Sequence, residues 1–197
     1  MRYNVQRERR PRGPCLPQKH SLPADRTGQG SRNEAATMAK EAKTNAMRML
    51  ERMKISYTPH EYDHDDGAID GVSVATKLGQ DPARVFKTLV TQGASRNYFV
   101  FVIPVAAELD LKKAAKSVGE KSVAMIHVAD INKVTGYIRG GCSPVGMKKQ
   151  FVTVLDESIL AQPTVMVSGG RIGTQVELAP ADLIKAARAT TAAITMA

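Results

Sequence analysis

Tryptophan is absent from this 197-residue chain, and aromatic residues make up only 5% of it. Any core must therefore be built from aliphatic side chains. The two cysteines, Cys15 and Cys142, lie in unrelated contexts, which argues against a disulfide framework and suits a reducing cytoplasm. No apolar run approaches the ~18–20 residues of a membrane-spanning helix, so no membrane partner is expected. The sequence has no G-x-x-x-x-G-K-[ST] phosphate loop, no dinucleotide fingerprint opening a clear helix, and no nucleophile elbow with a histidine beside it. P-loop, Rossmann-type and triad hydrolase chemistry are left without a motif. Internal repeats and heptads are missing too.

A hydrophobic share of 43% is enough for a real core, and the net charge of +9 is unevenly placed. Residues 1–37 hold eight Lys/Arg against three acids, together with four prolines. A segment so polar cannot bury enough surface to offset its ordering entropy, and is expected to be a disordered basic extension. It lacks the apolar stretch of a secretory signal. Met38 opens "MAKEAKTNAMRML", which looks like a natural start, so residues 1–37 also read as an over-extended start or an expression remnant. Residues 38–197 are expected to form one domain.

Within that domain, Thr44 can cap a helix with Ala46, Met49, Leu50 and Met53 on one face. Residues 55–62 are extended, with Pro59 pointing to a sheet edge. A helix over 70–79 is stopped by Gly79, and Asp81-Pro82 starts a further turn of helix. Strands follow at 87–92 and 98–104, a helix at 109–119, an extended piece at 122–126 and a helix at 130–136. Three more strands (151–156, 164–169, 174–178) precede a last helix over 180–189, opened by Pro180. Several strands lie too close together for crossover helices, so a mixed sheet in an α+β domain is expected rather than a doubly wound parallel one.

Candidate chemistry is sparse. His60, Asp63, His64, Asp65 and Asp66 crowd one segment, but Pro59 speaks for strand and turn, and a solvated acidic turn is favoured over a metal site. His127 reads as a packed side chain. Cys142 has no base near it in sequence and reads as a small packing residue rather than a nucleophile. The adjacent glycines of "RGGCSPVG" (139–146) and "SGGRIG" (168–173) allow close approach of backbone N–H groups to a ligand. Lys87, in "RVFKTLV", is an ammonium between Phe86 and Leu89. On its own it reads as a solvent-facing residue; beside two glycine loops it suggests a small donor-lined pocket without a metal.

These segments together resemble the YbaK/EbsC family of trans-editing aminoacyl-tRNA deacylases, related to the editing domain of prolyl-tRNA synthetases. The resemblance rests on "ISYTPHEYDHD" (55–65), "VFKTLV" (85–90), "IPVAAELDLKKAAK" (103–116), "TGYIRGGCSPVGMKK" (135–149) and "VSGGRIGTQVEL" (167–178), and spans roughly residues 44–188. It implies a single domain with a curved, mixed, partly barrel-like β-sheet flanked by helices. The implied activity is removal of cysteine from Cys-tRNA(Pro) and Cys-tRNA(Cys), with the substrate's own thiol as nucleophile and with no cofactor or metal. The alternatives are a deacylase for alanine or serine, and a non-catalytic tRNA- or nucleotide-binding regulator. Lys87 and Gly141 would serve the reaction, the Lys87 ammonium by anchoring the phosphate or ribose region of the terminal adenosine and fixing the ester's pose rather than as a nucleophile. Tyr62, Thr88, Gly140, Ser143, Ser168, Gly169 and Gly170 would line the substrate, with the amides of Gly140 and Gly141 facing the scissile carbonyl or the amine. Gln175 and Ile172 depart from relatives that carry an acid and a basic residue there. The implied partners are aminoacylated tRNA and, transiently, prolyl-tRNA synthetase, but not DNA. For tRNA contact the candidates are Lys112, Lys113, Lys116, Lys148 and Lys149.

Overall fold

Strand β3 (Tyr98–Pro104) organises the domain because it is apolar on both faces. Val100 and Val102 point into one cluster, with Phe86, Leu155, Val167, Val176 and Leu183; Phe99, Phe101 and Ile103 point into another, with Ala114, Ala115, Val154 and Ile194. A strand buried on both sides needs partners at both edges. It has them: β2 (Phe86–Gly93) runs antiparallel along one edge and β5 (Val152–Asp156) parallel along the other.

The computed structural model describes residues 43–196. The basic segment 1–37 and the start at Met38 lie outside the described residues. All elements below fall in one compact unit, Ala42–Ala197. In chain order they are α1 (Asn45–Arg52), β1 (Thr58–Glu61), α2 (Gly71–Lys77), β2, β3, α3 (Leu111–Ser117), β4 (Val123–Met125), α4 (Val128–Thr135), β5, a 3₁₀ turn (Glu157–Ala161), β6 (Val165–Arg171), β7 (Thr174–Leu178), α5 (Pro180–Ala187) and β8 (Thr190–Ala192). Among the described residues, no helix is long and apolar enough to cross a membrane.

The mixed α+β class is as expected, and the β-structure, expected as one sheet, is divided in two and does not close into a barrel. The strands form two sheets, ordered β1-β7-β6 and β4-β2-β3-β5-β8. β2 pairs with β3 along one edge and with β4 at its far end, and among the described residues a single parallel bridge, from Val85 just before β2 to Met166 of β6, joins the two sheets. The barrel therefore stays open, and the gap between the sheets at that bridge is where the cavity described below lies.

Local signals explain most element ends. The Thr44 hydroxyl accepts from Met47 N–H and caps α1, and Pro180 takes the first position of α5. Edge strand β1 carries Pro59, which has no N–H to donate. Asp81 makes a turn, accepting from Ala83 N–H, rather than starting a helix. His127 is exposed and caps α4 through Nδ1, so the expectation that it packs in the core does not hold. α5 ends at Arg188, a non-glycine residue in the left-handed region at φ 51°, and the chain then adds β8 beside β5.

Candidate active site

Five segments meet at the gap between the sheets. The start of β2 brings Lys87 and Thr88, and Tyr62 follows β1, its N–H held by Gly173 O at 3.0 Å. Ser168 and Gln175 face each other across the β6–β7 ladder. The start of α2 contributes Ile69, Asp70 and Val74, and the loop before β5 contributes Arg139, Gly140 and Cys142. Together they enclose a cavity of about 340 Å³. Its floor is apolar, from Val74, Val85, Phe86, Leu89 and Val105.

Lys87 lies half-buried in the wall. Its Nζ donates to the carbonyl oxygen of Val105 at 3.0 Å. Burial holds its pKa below the ordinary lysine value, with the Glu108 carboxylate opposing that shift. Three residues lining the same cavity carry a buried polar atom without a partner among the described residues: Tyr62 Oη, Thr88 Oγ1 and Gln175 Oε1. Tyr62 and Gln175 are 8% and 7% exposed. An unpaired buried polar atom costs about 1–3 kcal/mol, so three around one cavity form a surface able to meet a polar guest.

Not every expected residue lines the space. Tyr62, Lys87, Thr88, Gly140 and Ser168 do. Ser143 is fully buried behind the loop, its hydroxyl accepting from Val145 N–H at 3.3 Å. Gly169 gives its carbonyl oxygen to the Thr44 hydroxyl, and Gly170, at φ 94°, sits where a Cβ would strike the Tyr137 ring at 2.9 Å. The Gly141 N–H is engaged with Ile138 O at 3.0 Å, so it is not the free donor the resemblance implies. The Gly140 N–H makes no backbone hydrogen bond among the described residues. Gly141 serves packing: a Cβ there would lie 3.0 Å from Ile172 N and 3.1 Å from Arg171 C, so its bareness lets the two glycine loops touch backbone to backbone.

The remaining candidates resolve into structural roles. The Cys142 thiol is pushed up to about 11 by burial, against the Thr135 hydroxyl, and stays protonated at neutral pH. His60 pairs with Glu177 at 2.8 Å, and Asp66 with Lys77 at 2.6 Å. Among the described residues no three His, Cys, Asp or Glu side chains come together as a metal site. Sequence reasoning did not place Asp70, Arg139 or Val105 at this cavity, and it marked Gln175 only as a departure. Gln175 was within reach of a period-2 reading of β7, since Val176 points the other way, into the core.

The profile of the aminoacyl-tRNA editing domain family matches residues 69–186. The chain belongs to that family. Within this editing family, a curated protein of Enterococcus faecalis (strain ATCC 700802 / V583), provisionally named Cys-tRNA(Pro)/Cys-tRNA(Cys) deacylase EbsC, is 51% identical over 138 residues, covering 70% of this chain and 84% of its own. Two solved structures share the editing-domain fold. One is described as a candidate trans-editing enzyme for prolyl tRNA synthetase (23% identity, TM-score 0.68, 78% of this chain and 96% of that one). The other is the hypothetical protein APE2540 (22% identity, TM-score 0.71, 78% and 100%). The matched region contains every cavity residue named above except Tyr62.

Proposed function

We propose that the chain is a trans-editing deacylase that removes cysteine from Cys-tRNA(Pro) and Cys-tRNA(Cys). The observation that carries the reading is the cluster of Tyr62 Oη, Thr88 Oγ1 and Gln175 Oε1, unpaired and buried around one small cavity beside Lys87. The 51% identity to a protein provisionally named for that activity gives the substrate.

The chemistry needs little from the protein. The cysteine thiol attacks its own ester carbonyl, forming a carbon–sulfur bond and breaking the bond to the terminal ribose oxygen. The thiol proton ends on that oxygen, and the amino acid leaves as a four-membered cyclic thioester. An intramolecular nucleophile held in a reactive pose can reach an effective molarity of ~10⁵ M or more. The residues have only to hold that pose and to meet the developing negative charge with donors. Lys87 and the Gly140 N–H are the donors for the ester and its oxyanion; Gly141 positions Gly140. Tyr62, Thr88, Ser168 and Gln175 hold the amine and thiol end. Ser143, Gly169 and Gly170 support those walls from behind.

Such a second sieve has a physical reason. A synthetic site of apolar walls separates side chains one methylene apart by only ~1–3 kcal/mol, and cysteine and proline are close in size. Contact with tRNA is assigned to backbone phosphates through Lys112, Lys113 and Lys116 on α3, with Lys148 and Lys149. A transient association with prolyl-tRNA synthetase in the cytoplasm would supply the tRNA specificity.

The test is deacylation of Cys-tRNA(Pro) by wild type and Lys87→Ala, with the substrate thiol free or alkylated, beside Ala-tRNA and Ser-tRNA. Release of tRNA from the free-thiol substrate alone is expected. Equal release from the alkylated substrate would reject the cyclisation, and release from none would reject the deacylase.

A further inference from the structure

The cavity draws its walls from both sheets. Lys87 and Thr88 stand on β2, whereas Ser168 and Gln175 stand on β6 and β7. Their spacing is therefore set by how the sheets are held together. Backbone pairing does little of this. Val85, just before β2, bridges Met166 of β6, and the Met166 N–H donates to Arg84 O at 2.8 Å.

A side-chain cluster reinforces the same seam. Glu177 lies two residues beyond Gln175 on β7, so the two side chains share a face of the strand, about 7 Å apart along it. Its Oε1 accepts from Arg84 Nη2 at 2.9 Å and from the Thr164 hydroxyl at 2.5 Å, and its Oε2 pairs with His60 Nε2 at 2.8 Å. Arg84 is held at two further points, its Nη2 on the Thr164 hydroxyl and its Nε on Thr164 O at 3.3 Å. A planar guanidinium gripped at several points has its direction fixed as well as its distance. One carboxylate thereby gathers His60 of β1, Thr164 just before β6, and Arg84, three positions ahead of Lys87. The Glu177 carboxyl is held below the ordinary glutamate value, chiefly by the Thr164 hydroxyl and then by His60 and Arg84, so it is an anion at neutral pH. None of these four residues lines the cavity.

We propose that Glu177 is a positioning residue for deacylation: by fastening Arg84 to the β1-β7-β6 sheet it sets the separation of Lys87 and Thr88 from Ser168 and Gln175, and with it the pose of the ester between them. This rests on the deacylase reading. Each wall keeps its own contacts when the seam slips, so orientation is lost before affinity. The mark of the role is a fall in the rate at saturation with little change in the concentration that half-saturates.

The experiment joins single-turnover deacylation of Cys-tRNA(Pro) to amide hydrogen exchange by NMR, on the full chain, for wild type, Glu177→Ala, Glu177→Gln and Asp156→Ala. Asp156 is buried and lines no part of the cavity, so its variant is a destabilised control. Glu177→Ala is expected to lower the saturating rate about tenfold, short of the ~10²-fold of a ~1 Å misplacement. Its half-saturating concentration should stay within about twofold of wild type. Glu177→Gln keeps an acceptor oxygen and should fall between the two, while Asp156→Ala should keep the saturating rate. The Met166 N–H, which closes the seam, should exchange at least about tenfold faster relative to Phe101 of β3 in Glu177→Ala, and not in Asp156→Ala. A folded Glu177→Ala with the wild-type saturating rate overturns the proposal. So does a loss confined to half-saturation, an equal loss in Asp156→Ala, or unchanged exchange at Met166. A wild type inert on Cys-tRNA(Pro) removes the deacylase reading instead, and the Met166 exchange then decides by itself whether Glu177 fastens the sheets.

Discussion

The Nζ of Lys87 reaches across from β2 to the carbonyl of Val105, 3.0 Å away and 18 residues on, so the ammonium is tied to the chamber wall rather than left to solvent. Its stem crosses apolar surface and its head is fixed where the cavity begins. Lys87→Ala is expected to lower the rate of Cys-tRNA(Pro) deacylation by about 10²-fold, the scale of losing one oriented donor. Melting temperature should change little, because deleting this half-buried cation also removes its desolvation penalty. Parallel single-turnover kinetics and thermal melts check both.

The depressed pKa of Lys87 sets a pH dependence. Its charged form is less favoured in the folded chain than in the unfolded one, mainly through burial. Between the folded value and the ordinary lysine value of 10.5 the unfolded state binds more protons, so this residue makes stability rise with pH across that window. Activity should move the opposite way there, falling as the ammonium is lost. The alkaline limb of the rate profile is expected below 10.5 and should disappear in Lys87→Arg, whose guanidinium does not titrate.

The unpaired Thr88 hydroxyl and Tyr62 hydroxyl predict opposite effects on folding and on catalysis. Thr88→Val removes an unsatisfied buried group at nearly constant shape and is expected to stabilise the fold by about 1 kcal/mol. Tyr62→Phe should do the same. Both should slow deacylation by about tenfold. Chemical denaturation and kinetics on the same preparations would show the trade; a loss of stability in both variants would mean the hydroxyls are satisfied in the free protein.

Cys142 borders the cavity but its thiol, pushed up to about 11, is no nucleophile at neutral pH. Cys142→Ala is expected to retain deacylation within about threefold, with a stability loss of about 1 kcal/mol for a small buried group. Dependence on a free thiol should remain, because in the proposed cyclisation that thiol is the substrate's. A dead Cys142→Ala variant that still folds would transfer the nucleophile to the protein.

Asp156 supports the far end of the domain. Burial opposes its ionisation, but bonds from the Ser158 hydroxyl and from Ile194 and Ser158 N–H more than compensate, and its pKa is lowered. The stabilisation is present above the ordinary carboxylate value of 3.8 and is lost as pH falls through the lowered folded value. Asp156→Ala strands the buried Ile194 N–H and should cost about 2 kcal/mol at pH 7. That cost should shrink in acid, which urea melts at two pH values would show.

What could be read from sequence was what is local. Thr44 as a cap, Pro59 at an edge and Pro180 at a helix start need only neighbours along the chain, and each sits as expected. The strand after Arg188 was not legible, because its pairing with β5 spans more than thirty residues and a left-handed arginine hides the helix stop. The division into two sheets was equally hidden, since it depends on which strand edges are already filled. Lys87 as a wall residue came almost wholly from the resemblance; the composition around it allowed a solvent face, and the two glycine loops only suggested a pocket. Gly141 shows the limit most plainly: the glycine was identified, but the engagement of its N–H with Ile138 is a matter of turn geometry.

Tyr137 has a further consequence. Its hydroxyl bonds the carbonyls of Val145 and Gly146 at 2.8 and 3.1 Å, while its ring lies against Gly170 of β6. One side chain thereby rivets the two glycine segments together from below, and the Thr44 hydroxyl fastens the same strand at Gly169. These two walls of the proposed site are thus braced against spreading apart, and discrimination there should be nearly indifferent to solvent viscosity.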